Sequence, residues 1–126
     1  MTRLKKNEIG FTLIEVLVTC AIIGILSAIS LQLFIVLRNR SYDARANSDM
    51  RSAAEAEEAY FSIAETFKSC ASATECVSTV PGLAALSPGV TLAITATTTG
   101  FIGTSSHPKG SGIVYRWNSS SGGMVI

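Results

Sequence analysis

The sequence predicts an α+β protein, in which a long N-terminal α-helix packs its second half on a small antiparallel β-sheet of three or four strands. Three observations carry this prediction. Residues 16–37 are apolar and uncharged, the helical pattern continues without proline to about Phe67, and short alternating segments follow Pro88. A helix followed by consecutive strands is typical of two-layer α+β architecture. The predicted parts are a helix to about residue 67, a loop over 68–89 and a sheet over 90–126.

The apolar run predicts a membrane-spanning helix. It contains 22 residues from Val16 to Leu37, and a helix of that length extends roughly 33 Å, against about 30 Å of bilayer hydrocarbon. A secretory signal has a shorter apolar core of about 7–15 residues. A lipoprotein box at Leu17–Cys20 is disfavoured, because Thr19 suits it poorly and the run continues beyond Cys20.

Glu15 is an anomaly for a simple membrane anchor. A charge at the centre of a membrane helix costs on the order of 2.5–3.5 kcal/mol, and such residues favour a functional interpretation. Positive charges at Arg3, Lys5 and Lys6 precede the run. They predict that this end of the helix stays in the cytoplasm.

The second half of the helix is predicted to be amphipathic. Residues at helical spacing form its expected buried stripe: Ala46, Met50, Ala53, Tyr60, Ala64 and Phe67. The charged residues are expected largely away from that stripe: Asp43, Asp49, Arg51, Glu55 and Glu58. This stripe is interpreted as core that packs on the strands.

Two cysteines in the predicted loop are spaced for a disulfide. Cys70 and Cys76 bracket five residues, and on the exported side of a membrane such a pair forms a disulfide most simply. A metal site is the alternative, but two thiols without neighbouring histidine or carboxylate ligands make a poor one. Cys20 is expected to stay unpaired in the apolar run.

The C-terminal part alternates apolar and polar residues with period two. Strands are predicted at 90–96, 100–106 and 113–118, with a short fourth strand at 124–126. Turn sequences separate them, so the sheet is expected to be an antiparallel meander.

No catalytic constellation is apparent, and the sequence predicts neither an enzyme nor a cofactor. His107, the only histidine, is interpreted as a surface loop residue because no catalytic partner accompanies it. Lys109, Arg116 and Trp117 are a candidate patch for single-stranded nucleic acid such as DNA, but no basic cluster accompanies them, which favours a strand end with ordinary solvated charges. The sequon at 118–120 is too short to predict glycosylation.

The run Gly10-Phe11-Thr12-Leu13-Ile14-Glu15 after a basic leader resembles the processing site of type IV pilins and type II secretion pseudopilins. The resemblance implies that a prepilin peptidase removes residues 1–10 by cutting after Gly10, and that Phe11 is then N-methylated. It also implies that 11–37 form a transmembrane and filament-core helix and 38–126 a globular pilin domain. Glu15 would meet the N-terminal amine of a neighbouring subunit.

The function implied by this resemblance is that of a structural subunit polymerised into a type IV pilus for adhesion, twitching motility or DNA uptake. Implied partners are copies of itself, the peptidase, an assembly platform protein and motor ATPases. The subunit would sit in the inner membrane before assembly and in an extracellular pilus afterwards. Gln32 stands where many major pilins have proline, so a kink there is not expected.

Two other functions are compatible with the resemblance. A pseudopilin of a secretion system often carries a calcium site in the loops after the sheet. Here the last acidic residue is Glu75, so those loops have no acidic cluster, which favours the pilus. A minor pilin acting as a DNA-binding tip module would be scarce and would bind DNA in a salt-dependent manner.

Overall fold

The computed structural model of the chain describes residues 10–126, so the predicted leader lies outside the described residues except for Gly10. The elements in chain order are α1 (Leu13–Ala64), α2 (Ala73–Thr79), β1 (Thr91–Ala96), β2 (Phe101–Ser106), β3 (Tyr115–Asn118), a 3₁₀ turn (Ser119–Ser121) and β4 (Gly123–Val125). A long helix and a four-stranded antiparallel sheet confirm the predicted α+β fold class.

The chain divides into two compact units, of which the first ends at Ile35 and the second covers Val36–Ile126. Helix α1 is the described element that is long and apolar enough to cross a bilayer. In the isolated chain every side chain from residue 10 to residue 38 is exposed. An apolar surface of this size calls for lipid or protein to cover it.

Helix α1 ends three residues before the predicted end at Phe67. Glu65 adopts a left-handed conformation, with φ of 55°, which stops the helical hydrogen-bond pattern after Ala64. The chain then turns back, and Phe67 stacks on Phe61 at 4.5 Å between ring centroids. Phe67 also contacts Phe101 of β2, with ring centroids 5.1 Å apart.

The sheet is the predicted meander, with strand order β1-β2-β3-β4. Its register pairs Ile94 with Gly103, Gly103 with Trp117, and Trp117 with Met124 across all four strands. Gly103 leaves room on the inner face, where any side chain would collide with the thioether of Met50. Helix α1 therefore approaches the sheet closely at this point, and Met50 is fully buried.

The predicted placement of the acidic residues on α1 is wrong for Asp43 and Asp49, which are 4% and 8% exposed. Each carboxylate fixes a loop. Asp49 accepts hydrogen bonds from Ser87 N (2.7 Å) and Ser87 Oγ (3.1 Å). Asp43 accepts from Ser111 N at 3.1 Å and from Ser111 Oγ at 2.6 Å. The burial of these two carboxylates is tolerated because hydrogen bonds from the serine donors replace the hydrogen bonds that water makes to an exposed carboxylate.

Glu57 is a third buried acid on the same helix, with no exposed surface. Its Oε2 accepts from the backbone N–H of Lys68 at 2.9 Å, whereas its Oε1 has no hydrogen-bond partner. Burial raises the pKa of this carboxyl above its usual range, and the Lys68 N–H and the Lys68 charge oppose the rise only in part.

The connector between α1 and the sheet is more ordered than the predicted loop. It contains helix α2, whose N-cap Ser72 accepts a hydrogen bond from Glu75 N. Glu75 returns a bond by accepting from Ala71 N at 3.0 Å. These reciprocal bonds are local and short in sequence, so they support a seven-residue helix that apolar periodicity could not reveal.

Candidate functional site

Gly10 and Phe11 lie at the N-terminal end of the described chain, outside any helix or strand. Phe11 is 87% exposed, and open space surrounds the α-carbon of Gly10. Helix α1 begins two residues later, at Leu13. The peptide bond between Gly10 and Phe11 therefore takes no part in helical hydrogen bonding. A protease groove needs a backbone that is free of such hydrogen bonds.

Glu15 caps its own helix. The Thr12 N–H and the Thr12 hydroxyl both donate to Glu15 Oε2, each at 2.9 Å. In return, Glu15 N donates to Thr12 Oγ1 at 3.3 Å. This capping box satisfies backbone donors that the first helical turn would otherwise leave unpaired. It is a local role for Glu15 that sequence analysis did not assign, although Thr-x-x-Glu is its signature.

The Glu15 side chain accepts both of its hydrogen bonds on one carboxylate oxygen, Oε2. Oε1 takes no part in the capping box. The carboxylate can therefore accept a further donor without giving up the cap. Local capping and a contact with a cation are compatible uses of this residue.

Cys70 and Cys76 form a disulfide, and both are buried. The backbone of Cys70 pairs with Ile94 of β1 through two hydrogen bonds of 2.8 and 2.9 Å. The crosslink thus joins the middle of α2 to the segment that pairs with the edge of the sheet. Closing so short a loop stabilises a fold by about 2 kcal/mol in the chain-entropy description.

His107 is not the surface residue that was predicted, because it is only 5% exposed. Its ring stacks on Tyr42 of α1, with centroids 4.4 Å apart. Nδ1 accepts from Lys109 N at 3.0 Å, and Nε2 lies 3.2 Å from Pro88 O. This arrangement requires the tautomer that carries its proton on Nε2, where it donates to Pro88 O. Both nitrogens serve the loop, so His107 has a structural role.

The three residues considered for DNA binding have different environments. Arg116 is exposed on β3, and Trp117 packs against the hydrophobic core with its indole Nε1 buried. Lys109 lies in the loop after β2. A tryptophan whose ring belongs to the core is a poor stacking platform for bases.

Asn118 of the sequon is the N-cap of the 3₁₀ turn and accepts from Ser120 N at 3.0 Å. Its side chain thus has a structural partner. In residues 10–126, no three histidine, cysteine, aspartate or glutamate side chains come together as metal ligands would.

Three residues that sequence analysis did not single out form a cluster directly after the apolar run. The guanidinium carbons of Arg38 and Arg45 lie 5.8 and 5.4 Å from the centroid of the Tyr42 ring. Their spacing of four and three residues puts them on one helix face. The cluster could have been predicted from this sequence spacing.

The fold and the N-terminal site define a class of protein with a membrane-length apolar helix and a small α+β unit. Residues 5–31 match the family model of the prokaryotic N-terminal methylation motif. The chain is also similar to the type IV major pilin protein PilA of Myxococcus xanthus (strain DK1622), with 37% identity over 62 residues. The match covers 49% of this chain and only 28% of that relative. Both matches lie on the side of a pilin-type subunit, and the chain covers little more than a quarter of the length of the relative that it matches.

Proposed function

We propose that this chain is the structural subunit of a type IV pilus, cleaved after Gly10, N-methylated on Phe11 and polymerised through its apolar N-terminal helix. The observation that carries the proposal is the exposed apolar surface of residues 16–37, which overlaps the methylation motif matched at residues 5–31. Lipid covers this surface before assembly, and identical helices cover it in the filament. The proposed partners are further copies, a prepilin peptidase, an assembly platform protein and motor ATPases.

Cleavage would create a positive charge at the tip of an apolar rod. An α-amino group has a reference pKa of about 7.7–8.0, so it is mostly protonated at neutral pH. Within a bundle of apolar helices this cation requires a counter-ion, and Glu15 is the only carboxylate in the first 27 residues from Phe11 onward. Leaving one member of a buried ion pair unmatched costs about 3–5 kcal/mol. The pair would therefore select the register in which helices add to the filament.

The first test is the intact mass and N-terminal sequence of the protein in filaments sheared from cells. The proposal predicts a chain that starts at N-methylated Phe11. Recovery of the chain only as a full-length precursor, or only as a monomer, would refute it. A processed chain that stays in the membrane, with none in the sheared fraction, would favour the alternative of a secretion pseudopilin.

A pair of variants separates the two uses of Glu15. Glu15→Gln keeps a capping side chain but removes the charge, whereas Thr12→Ala removes the side chain of the cap and keeps the charge. We expect Glu15→Gln to lose filaments, and Thr12→Ala to keep them, at equal membrane levels of the subunit. Normal assembly of Glu15→Gln would limit Glu15 to its capping role.

A further inference from the structure

A cluster of basic and aromatic side chains lies on α1 directly after the apolar run. We name it the Tyr42 cluster, and its members are Arg38, Tyr42, Arg45, His107 and Lys109. Arg38 donates from Nη2 to the Tyr42 hydroxyl at 3.4 Å, and both arginines approach the same ring. His107 stacks on that ring.

The positive charges of the cluster act together on the Tyr42 hydroxyl. The pKa of the Tyr42 hydroxyl is lowered, mainly by the hydrogen bond from Arg38 and further by the charges of Lys109 and Arg45. Arg38, Arg45 and Lys109 are exposed, and Tyr42 is half-buried. The adjacent acid, Asp43, is buried and accepts its bonds from Ser111, in the same loop as Lys109. The cluster is therefore a cationic surface, and the carboxylate nearest to it in sequence, that of Asp43, is hydrogen-bonded to Ser111.

The depth of the cluster fits the headgroup layer of a bilayer. Tyr42 follows Leu37 by five residues, which corresponds to about 7.5 Å along a helix. The headgroup layer is roughly 5–8 Å thick on each side of the hydrocarbon. Arg45 lies nearly one turn further on, and its guanidinium reaches back to Tyr42, in the direction that helical side chains favour. Both guanidinium groups therefore meet at headgroup level.

We propose that the Tyr42 cluster binds the phosphate of an anionic phospholipid at the exported end of the membrane span before the subunit is assembled. This inference rests on the membrane-anchored state in the proposed function. Guanidinium groups bind phosphate oxygens in a forked geometry, and tyrosine favours the membrane interface. The contact would set the depth of the helix in the bilayer, and it would break when the subunit leaves the membrane.

The test uses the full chain in neutral detergent, offered mixtures of phosphatidylglycerol and phosphatidylcholine, with bound lipid counted by native mass spectrometry. The wild type is expected to retain phosphatidylglycerol preferentially. Arg38→Gln/Arg45→Gln should reduce this preference about fivefold for each arginine removed. The matched control, Arg51→Gln/Arg116→Gln, removes the same charge from exposed positions outside the cluster and should keep the preference. Lys109→Gln provides a milder variant should the double variant fold poorly.

The outcomes distinguish three interpretations. An equal loss in the control, or no preference in the wild type, would overturn the inference. Cluster-dependent binding of a single-stranded oligonucleotide without a lipid preference would assign the cluster to nucleic acid, and would overturn it too. Flotation with phosphatidylcholine vesicles tests the anchor separately. A chain that does not float refutes the membrane-anchored state, whereas a floating chain without the preference refutes only this inference.

Discussion

Single carboxylates on the buried face of α1 hold the loops of the second unit in place. Asp43 binds the loop after β2, Asp49 the segment before β1, and Glu57 the turn after α1. Each accepts a backbone N–H that no helix or strand pairs. Loss of such an acceptor leaves a partly buried donor unsatisfied, and full burial of such a donor would cost about 1–3 kcal/mol.

Glu57 should make stability depend on pH. Its pKa in the folded state is raised, while the unfolded value is about 4.3. Well below the unfolded-state pKa, the carboxyl is protonated in both the folded and the unfolded state. Its ionisation then does not change the free energy of unfolding with pH. As the pH rises above about 4.3, the unfolded state ionises first, so the free energy of unfolding falls until the folded pKa is passed.

The variant Glu57→Gln should lack this component of the pH dependence. The measurement is urea unfolding in neutral detergent from acid to neutral pH, followed by the fluorescence of Trp117. Glu55→Gln, at an exposed position on the same helix, serves as the control and should follow the wild-type profile. If Glu57→Gln keeps the wild-type slope above pH 4.3, another group is responsible for it.

At the scale of elements, the end of α1 is set by an unfavourable residue. Glu65 adopts a positive φ, which costs energy for any residue with a side chain, and it places a negative charge at the negative end of the helix dipole. Tertiary contacts of Phe67 with Phe61 and Phe101 offset this cost.

Glu65→Gly should therefore stabilise the protein, by about 0.5–1 kcal/mol, because glycine adopts a positive φ without steric cost. Glu58→Gly is the matched control: the same substitution inside the helix should destabilise by about 1 kcal/mol. Urea midpoints of the two variants measure the difference. A loss of stability in Glu65→Gly comparable to that in the control would show that the side chain of Glu65, and not its backbone, matters.

At the scale of the whole molecule, the exposed apolar helix is the feature that the isolated chain leaves unsatisfied. Its side chains, including the free thiol of Cys20, need a cover of lipid or of other subunits. The second unit has its own buried core and disulfide. Polymerisation through the first unit would thus bury surface without requiring the second unit to refold.

Cys20 is an internal probe of this packing. We expect it to react readily with a maleimide in subunits dissolved in detergent, and slowly in intact filaments. Thr98→Cys in a Cys20→Ser background is the control, since Thr98 lies in the exposed turn between β1 and β2 and should stay reactive in both states. Equal reactivity of Cys20 in both states would contradict its burial between helices.

Features of the fold that depend on local pattern were accessible from the sequence. Apolar composition identified the membrane-length helix, period-two alternation identified the strands, and the six-residue motif lies within the matched N-terminal methylation motif. Helix α2 was missed because it is held by capping bonds of Ser72 and Glu75 instead of an apolar stripe.

Side chains whose environment depends on distant parts of the chain required the structure. Asp43 and Asp49 look like surface charges in the sequence, and only the loops folded over them supply their donors. His107 is buried because it meets Tyr42, 65 positions earlier in the chain. The sequence by itself determined the long helix, the four strands and the N-terminal motif, since each depends on a pattern of neighbouring residues. The tertiary structure decided which polar residues are buried and which cations gather at Tyr42, because burial is a property of the partners that folding brings together.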